Sequence, residues 1–270
     1  MKKESSIPAE IIKSRKMIYK LAKNDFKTKY AGSYLGIIWA FIQPVITVLV
    51  YWFVFEVGFR GGSDSLPVPF VLYLVAGIIP WFFFQDGLTG GTNSLLEYSY
   101  LVKKVVFQID MLPVVKMISA LFTHLFFVAF TIVLFICMGY MPDWYALQVI
   151  YYSFCMILFA TGLVYATSAV TVFFRDMKEV VGILLQIGMW VTPIMWNFET
   201  MVQIPGWAIT VLKLNPMYYI VSGYRNALIN HIGFWEDMGL TVYFWVVTAV
   251  ILFLGTTVFK RLRPHFADVL

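Results

Sequence analysis

Ser33-Tyr34-Leu35-Gly36-Ile37-Ile38-Trp39-Ala40-Phe41-Ile42-Gln43-Pro44-Val45-Ile46-Thr47-Val48-Leu49-Val50-Tyr51-Trp52-Phe53-Val54-Phe55 is a run of 23 residues without a charge. A helix needs about 20 mostly apolar residues to cross hydrocarbon, so this stretch reads as a membrane span. Residues 1–32, just before it, carry nine of the chain's 20 Lys and Arg. Five further apolar runs follow, over 68–86, 117–139, 146–174, 181–197 and 238–259. The fifth of the six is the shortest and carries Pro193. Threading all six through a membrane puts 1–32, the 87–116 loop, the 175–180 loop and the C-terminus on one face. Of the basic residues, only Arg60, Lys213 and Arg225 fall on the other. Positive charge stays cytoplasmic, which predicts a multi-pass protein with both termini in the cytoplasm.

Composition agrees. Hydrophobic residues make up 60% of the chain, charged residues 13%, and the mean hydropathy is +0.78. A soluble domain has about 45–50% apolar and about 25% charged residues. The runs lack the polar–apolar alternation of barrel strands, which argues against a β-barrel. The expected fold is all-α, a polytopic membrane protein with six transmembrane helices. The pI near 9 needs no nucleic acid, because the basic residues serve as topology determinants beside anionic lipid and no recognition motif is present. No signal-peptide pattern is visible, and the first run is expected to remain in the mature protein. Cys137 and Cys155 fall inside predicted spans and read as small buried hydrophobes.

Three segments outside the spans carry structure. Over 1–32, Ser6 is placed to cap a helix with Pro8 in its first turn. Ile7, Ile11, Ile18 and Ala22 then recur at helical spacing, with lysines largely elsewhere on the wheel. This predicts a basic amphipathic helix in the membrane interface, either as a lipid anchor or as a moving element between a partner and the first span. Residues 33–270 form the six-helix domain. The 87–116 segment opens with Gly87, Gly90 and Gly91. Its 95–104 stretch reads as a short helix parallel to the membrane, or else as a connecting loop. The external segment 198–237 is too apolar for an ordinary loop. Asn215 followed by Pro216 reads as an N-cap with proline at the first helical position, and Met217, Val221, Tyr224 and Leu228 share one face. Short re-entrant helices before the last span are expected there. Gly32–Gly36 and Gly87–Gly91 have GxxxG spacing at span ends, a weak signal among 18 glycines.

Several chemistries are missing from the sequence. No P-loop pattern occurs. The acids and bases that mark ion-coupled carriers are confined to Glu56, Asp86 and His124 near span ends, and His124 reads as a packing residue. The three histidines lie far apart, and no catalytic constellation can be assembled. A polytopic chain with no motor, no coupling-ion site and a large cytoplasmic surface fits a transporter subunit driven by a separate ATPase. A membrane-embedded transferase and an ion-coupled carrier are the alternatives, each lacking its expected acidic or histidine cluster.

Lys29-Tyr30-Ala31-Gly32-Ser33-Tyr34-Leu35-Gly36 with Trp39 and Pro44 resembles the opening of ABC-2 type polysaccharide-export permeases, the membrane subunits that export O-antigen, capsule and teichoic acid. Gly77-Ile78-Ile79-Pro80-Trp81-Phe82 is similar to that family's second span. Phe174-Arg175-Asp176, Thr192-Pro193-Ile194, Leu214-Asn215-Pro216-Met217-Tyr218-Tyr219-Ile220 and Gly223-Tyr224-Arg225 match in order across nearly the whole chain. Val50–Arg60 looks most like the teichoic acid permeases. The chain departs from the common pattern at Phe107-Gln108-Ile109-Asp110, where many relatives have proline before the acid.

The resemblance implies a homodimer in a bacterial cell membrane with two cytoplasmic ATP-binding-cassette ATPases. ATP and Mg2+ would sit in those partners and no cofactor in this chain. The implied substrate is a polyprenyl-diphosphate-linked polymer, teichoic acid in the main reading and O-antigen or capsular polysaccharide in the alternative. It also implies that the N-terminal helix and the 95–104 helix touch the ATPases. Leu96, Glu97, Tyr98, Tyr100, Lys103 and Lys104 are the coupling residues expected on that basis. Closure of the ATPases would push on these two helices and shift spans one and five. For the path itself, aromatic rings stack on sugar faces, which nominates Tyr30, Tyr34 and Trp39. Lys23, Lys27 and Lys29 are placed to attract a diphosphate, or serve only as topology residues. Outside, Arg225 either holds anionic groups near the exit or pairs with an acid such as Glu199 or Glu236.

Overall fold

The computed structural model describes residues 11–58, 66–102, 108–196 and 205–270. Every regular element among the described residues is helical. Five of them are long and apolar enough to cross a membrane: Gly36–Gly58, Phe70–Glu97, Ile109–Cys137, Trp144–Phe173 and Met238–Val269.

Helix α1 (Arg15–Lys29) lies where the N-terminal periodicity predicts a helix. Its apolar face, Ile18 and Ala22, packs on Met111 and Val115, and Tyr19 and Phe26 meet Phe122 edge-on. The predicted cap at Ser6, with Ile7 and Pro8, lies outside the described residues. Ser14 stands before α1, and its hydroxyl donates to Gln108 Oε1 at 2.6 Å instead of capping the helix. The turn to the first span uses Gly32 and Gly36 at φ of 91° and 54°, which side chains with a Cβ rarely adopt.

Helix α2 (Trp39–Trp52) is prolonged by a π-helical turn, Phe53–Gly58. Only 6% of this span's apolar window is buried, so it stands at the periphery. Helix α3 (Phe70–Glu97) is the centre, buried over 78% of its window. A helix apolar on all sides belongs in the interior, and α3 contacts α2, α5, α6, α7 and α9. It passes through Pro80 unbroken. A single helical turn, α4 (Ser99–Val102), follows. Helices α5 (Leu112–Cys137) and α6 (Gln148–Phe173) flank α3, and α10 (Met238–Leu262) crosses α6. A last turn, α11 (Phe266–Val269), packs Phe266 against Phe259.

Two expectations change here. The fifth apolar run forms α7 (Met177–Val191), only 15 residues, or about 22 Å of helix against the about 30 Å of hydrocarbon. Pro193 sets its end. The residue before proline is pushed out of the α region, and Thr192 is extended at φ −76°, ψ 129°. Second, the 87–116 segment does not begin as a loop, because α3 continues through Gly87, Gly90 and Gly91 to Glu97. Residues 95–102 are therefore the tail of α3 plus α4 and not a separate helix, and residues 103 and 104 lie outside the described residues. Packing overrides helix propensity here. A Cβ on Gly87 would lie 2.9 Å from Met117 Sδ, and one on Gly91 would lie 2.4 Å from Val164 Cγ1. The Gly87–Gly91 pair is thus a notch that seats α5 and α6 against α3.

After α7, helices α8 (Gly206–Lys213) and α9 (Pro216–Arg225) lie within the predicted 198–237 segment, of which residues 198–204 are outside the described ones. Asn215 caps α9 as expected, accepting from Met217 N at 3.0 Å. Its amide also donates to Thr192 Oγ1 at 2.8 Å, tying α9 to the end of α7. Met217, Val221, Tyr224 and Leu228 are all buried, the shared face the spacing predicts.

Candidate functional site

A cavity of about 460 Å³ opens between the end of α1, α2, the middle of α3 and α5. Trp39, Gln43, Thr47 and Tyr51 line one wall, spaced four apart along the span Gly36–Gly58. This spacing puts them on one face, a signal legible in the sequence. Phe82, Phe83 and Asp86 of α3, Thr123, His124 and Phe127 of α5 and Met189 of α7 add to the lining, together with Lys29 and Tyr30. The walls thus combine aromatic faces with amide, hydroxyl and charged groups.

The predicted path residues divide. Lys29, Tyr30 and Trp39 line the cavity together. Tyr34, fully exposed in the turn, does not. Lys23 and Lys27 are exposed on α1 and stand outside it. Lys29 is bound to Asp86 by a close ion pair and lies 5.6 Å from the Tyr30 ring centre. Burial works against the Lys29 charge, but the Asp86 carboxylate outweighs it and holds the ammonium pKa above the ordinary lysine value. His124, read from the sequence as a packing residue, lines the cavity. It is buried, with Nε2 3.0 Å from Tyr224 Oη and 3.3 Å from Ser153 Oγ.

A second cavity, about 480 Å³, adjoins the first. Its lining includes Asp25 and Thr28 of α1, Asn93 and Glu97 of α3, and Lys116 and Ser119 of α5. Lys116 pairs with Asp25 at 2.7 Å and, more closely, with Glu97. The Tyr98 hydroxyl donates to Asp25 Oδ1 at 2.6 Å. Burial by itself would raise the Asp25 carboxyl, yet the bonds from Lys116 and Tyr98 together hold it below the ordinary carboxylate range. The Tyr98 hydroxyl is pushed up by burial and by Asp25. Of the predicted coupling residues, Glu97 is exposed and pairs with Lys116 of α5, while Tyr98 is half-buried and bonds to Asp25 of α1. Leu96 is half-buried, Tyr100 is exposed, and Lys103 and Lys104 lie outside the described residues.

Arg225 belongs to neither space. It lines a third cavity of about 420 Å³ beside the N-terminal part of α3, with Tyr73, Lys213 and Tyr218. Its guanidinium is buried and donates to the Pro193 and Ile194 carbonyls. It lies over the Tyr73 ring at 3.6 Å. Neither sequence-based reading anticipates this. Glu236 accepts from Gly233 N at 2.8 Å, and Glu199 lies outside the described residues. A further pair is Arg263 with the buried Asp110, 2.5 Å apart. The acidic residue of the departing Phe107–Asp110 segment thus anchors the end of α10, while Phe107 lies outside the described residues. No group of His, Cys, Asp or Glu among the described residues is arranged to hold a metal ion.

The chain is similar to known proteins along most of its length. An O-antigen export system permease protein RfbA of Myxococcus xanthus is 26% identical over 259 residues, covering 96% of this chain and 97% of the relative. Two O-antigen export system permease proteins RfbA of Klebsiella pneumoniae are 22% identical over 254 residues, 93% of each chain. Residues 17–229 match the ABC-2 type transporter family, which works with an ATP-binding-cassette partner. With its several apolar helices, this multi-pass chain belongs to the ABC-2 type transporter family, as a membrane permease subunit that is not itself catalytic.

Proposed function

We propose that this chain is the permease subunit of an exporter for a lipid-linked polysaccharide of the O-antigen class, and that the cavity along α2 is part of the path. The observation that carries this reading is the meeting of Trp39, Tyr51 and Phe82 with Lys29 in one space. Aromatic faces suit sugar rings, and an ammonium suits a phosphate as a point charge. Such a substrate does not cross unaided, since one charge at the bilayer centre costs at least about 2.5–3.5 kcal/mol. The relatives along the whole chain favour O-antigen over teichoic acid. The teichoic acid expectation rests on the Val50–Arg60 stretch alone.

In this reading α1 lies in the cytoplasmic interface as the 1–32 element, and both termini are cytoplasmic. The five long helices are joined by α7, completed by the 192–196 stretch that follows it, as the sixth crossing, with α8 and α9 re-entrant from outside. Two copies assemble with two ATPases, which bind ATP and Mg2+. These press on the segment that holds Tyr100, Lys103 and Lys104, of which Tyr100 is exposed, and the Glu97–Lys116–Asp25 chain of contacts carries the motion to α1.

The test is ATPase activity of the chain co-purified in lipid with the ATP-binding-cassette protein encoded beside it, with and without a short polyprenyl-diphosphate glycan. Stimulation by that lipid, greater for an O-antigen repeat than for a polyol-phosphate chain, is the expected result. A well-folded chain that assembles with no such ATPase would sink the proposal.

A further inference from the structure

The Lys29–Asp86 pair stands where two cavities meet. Both side chains line both spaces, as do Thr89 and Ala120. On one side lies the polar space ringed by Asp25, Asn93, Glu97 and Lys116. On the other lies the aromatic space of Trp39, Tyr51 and Phe82. We propose that this ion pair is a gate between the two, in which the Asp86 carboxylate occupies the place of a phosphate on Lys29, and that a phosphate-bearing group opens it by displacing Asp86. The proposal rests on the transport reading of the aromatic cavity and adds the residue that closes it.

The side chains of Lys29 and Asp86 are 42% and 36% exposed. A pair so accessible to water is weakly held, and the released carboxylate can be hydrated where it stands. A phosphate group carries about −1.5 to −2 charges and three acceptor oxygens, more than one carboxylate offers. Lys29 also keeps its position over Tyr30, and the nearby Asp25 is already committed to Lys116 and Tyr98. Asp86 is therefore the anion that an incoming phosphate competes with. Ionic exchange of this kind admits a charged headgroup and leaves the path closed to uncharged lipid.

The test reads water access to the aromatic space. In a Cys137→Ser, Cys155→Ala background, Thr123→Cys places a reporter in that space alone. The full chain in nanodiscs is labelled with a quaternary-ammonium methanethiosulfonate. Farnesyl diphosphate should speed labelling about fivefold, equivalent to about 1 kcal/mol, and farnesol should not. Asp86→Asn should label at the fast rate without any ligand. Losing the carboxylate would by itself repel this cationic reagent, so acceleration reports opening. The charge swap Lys29→Asp with Asp86→Lys should restore slow labelling. Inorganic pyrophosphate as effective as farnesyl diphosphate supports an anion gate that reads the headgroup alone, and farnesyl diphosphate acting alone supports a lipid-anchored ligand. Farnesol matching farnesyl diphosphate, or Asp86→Asn labelling at the wild-type rate, overturns the gate. No ATPase is needed, so failure to assemble with one strikes the exporter reading and leaves this result standing. Conversely, lipid-stimulated ATPase with no change in labelling removes the gate only.

Discussion

The Arg225 guanidinium lies 3.6 Å from the centre of the Tyr73 ring and donates to the carbonyls of Pro193 and Ile194. Two segments far from Arg225 in the chain, around Gly77 and Thr192, converge on this one side chain. Gly77 makes the room, since a Cβ there would come within 2.7 Å of Arg225 Nη2. Thr192, extended before Pro193, ends α7 with carbonyls that no helix satisfies, and Arg225 takes them. The arginine that would watch over an exit is thus a structural joint between α3, α7 and α9.

Arg225→Ala should destabilise the chain by about 2–3 kcal/mol or more, because buried carbonyls lose charged donors. Gly77→Ala should cost about 1–3 kcal/mol through overpacking against the same side chain. Thermal unfolding in detergent, followed by loss of the monodisperse peak, measures both. Wild-type melting temperatures for the pair would refute the joint.

The glycines separate in the same assay. A Cβ on Gly255 would lie 2.0 Å from the Gly162 carbonyl oxygen, whereas one on Gly182 meets nothing within 4 Å. Gly255→Ala must push α10 off α6 and should abolish the folded peak. Gly182→Ala, inside α7, should be neutral or stabilise by up to about 1 kcal/mol through helix propensity.

Asp25 makes a pH dependence. Its folded pKa lies below the ordinary 3.8, so its stabilising effect is fully present above that value and is lost as pH falls through the folded one. Melting temperature should drop as pH falls below about 4 more steeply for the wild type than for Asp25→Asn. Lys116→Met at neutral pH should cost about 3 kcal/mol, since it strands a buried carboxylate. Parallel wild-type and Asp25→Asn profiles would remove Asp25 from this role.

Among the path candidates, the outcome should follow geometry and not chemistry. Trp39→Ala should weaken the response to a lipid-linked glycan about three- to tenfold, the value of one aromatic contact at about 0.5–1.5 kcal/mol. Tyr34→Ala, on a ring exposed outside the cavity, should leave it unchanged. Lipid-stimulated ATPase of the assembled complex measures both, and equal losses would mean that the path runs elsewhere.

Helix α1, the long apolar spans and the Asn215–Pro216 cap follow from rules acting within a few residues: periodicity, hydropathy and capping. The sequence alone therefore determines where these helices lie, and its residue order carries the family. It does not determine partners across distance. Lys29 and Asp86 are 57 residues apart, and Arg225 meets the end of α7 from more than 30 residues away. The continuation of α3 past Gly87 and the seating of its glycines on Met117 and Val164 also belong to the tertiary structure. The reason is physical: a glycine notch or a buried arginine is specified by the surface that packs against it, and that surface is brought there only when the helices assemble.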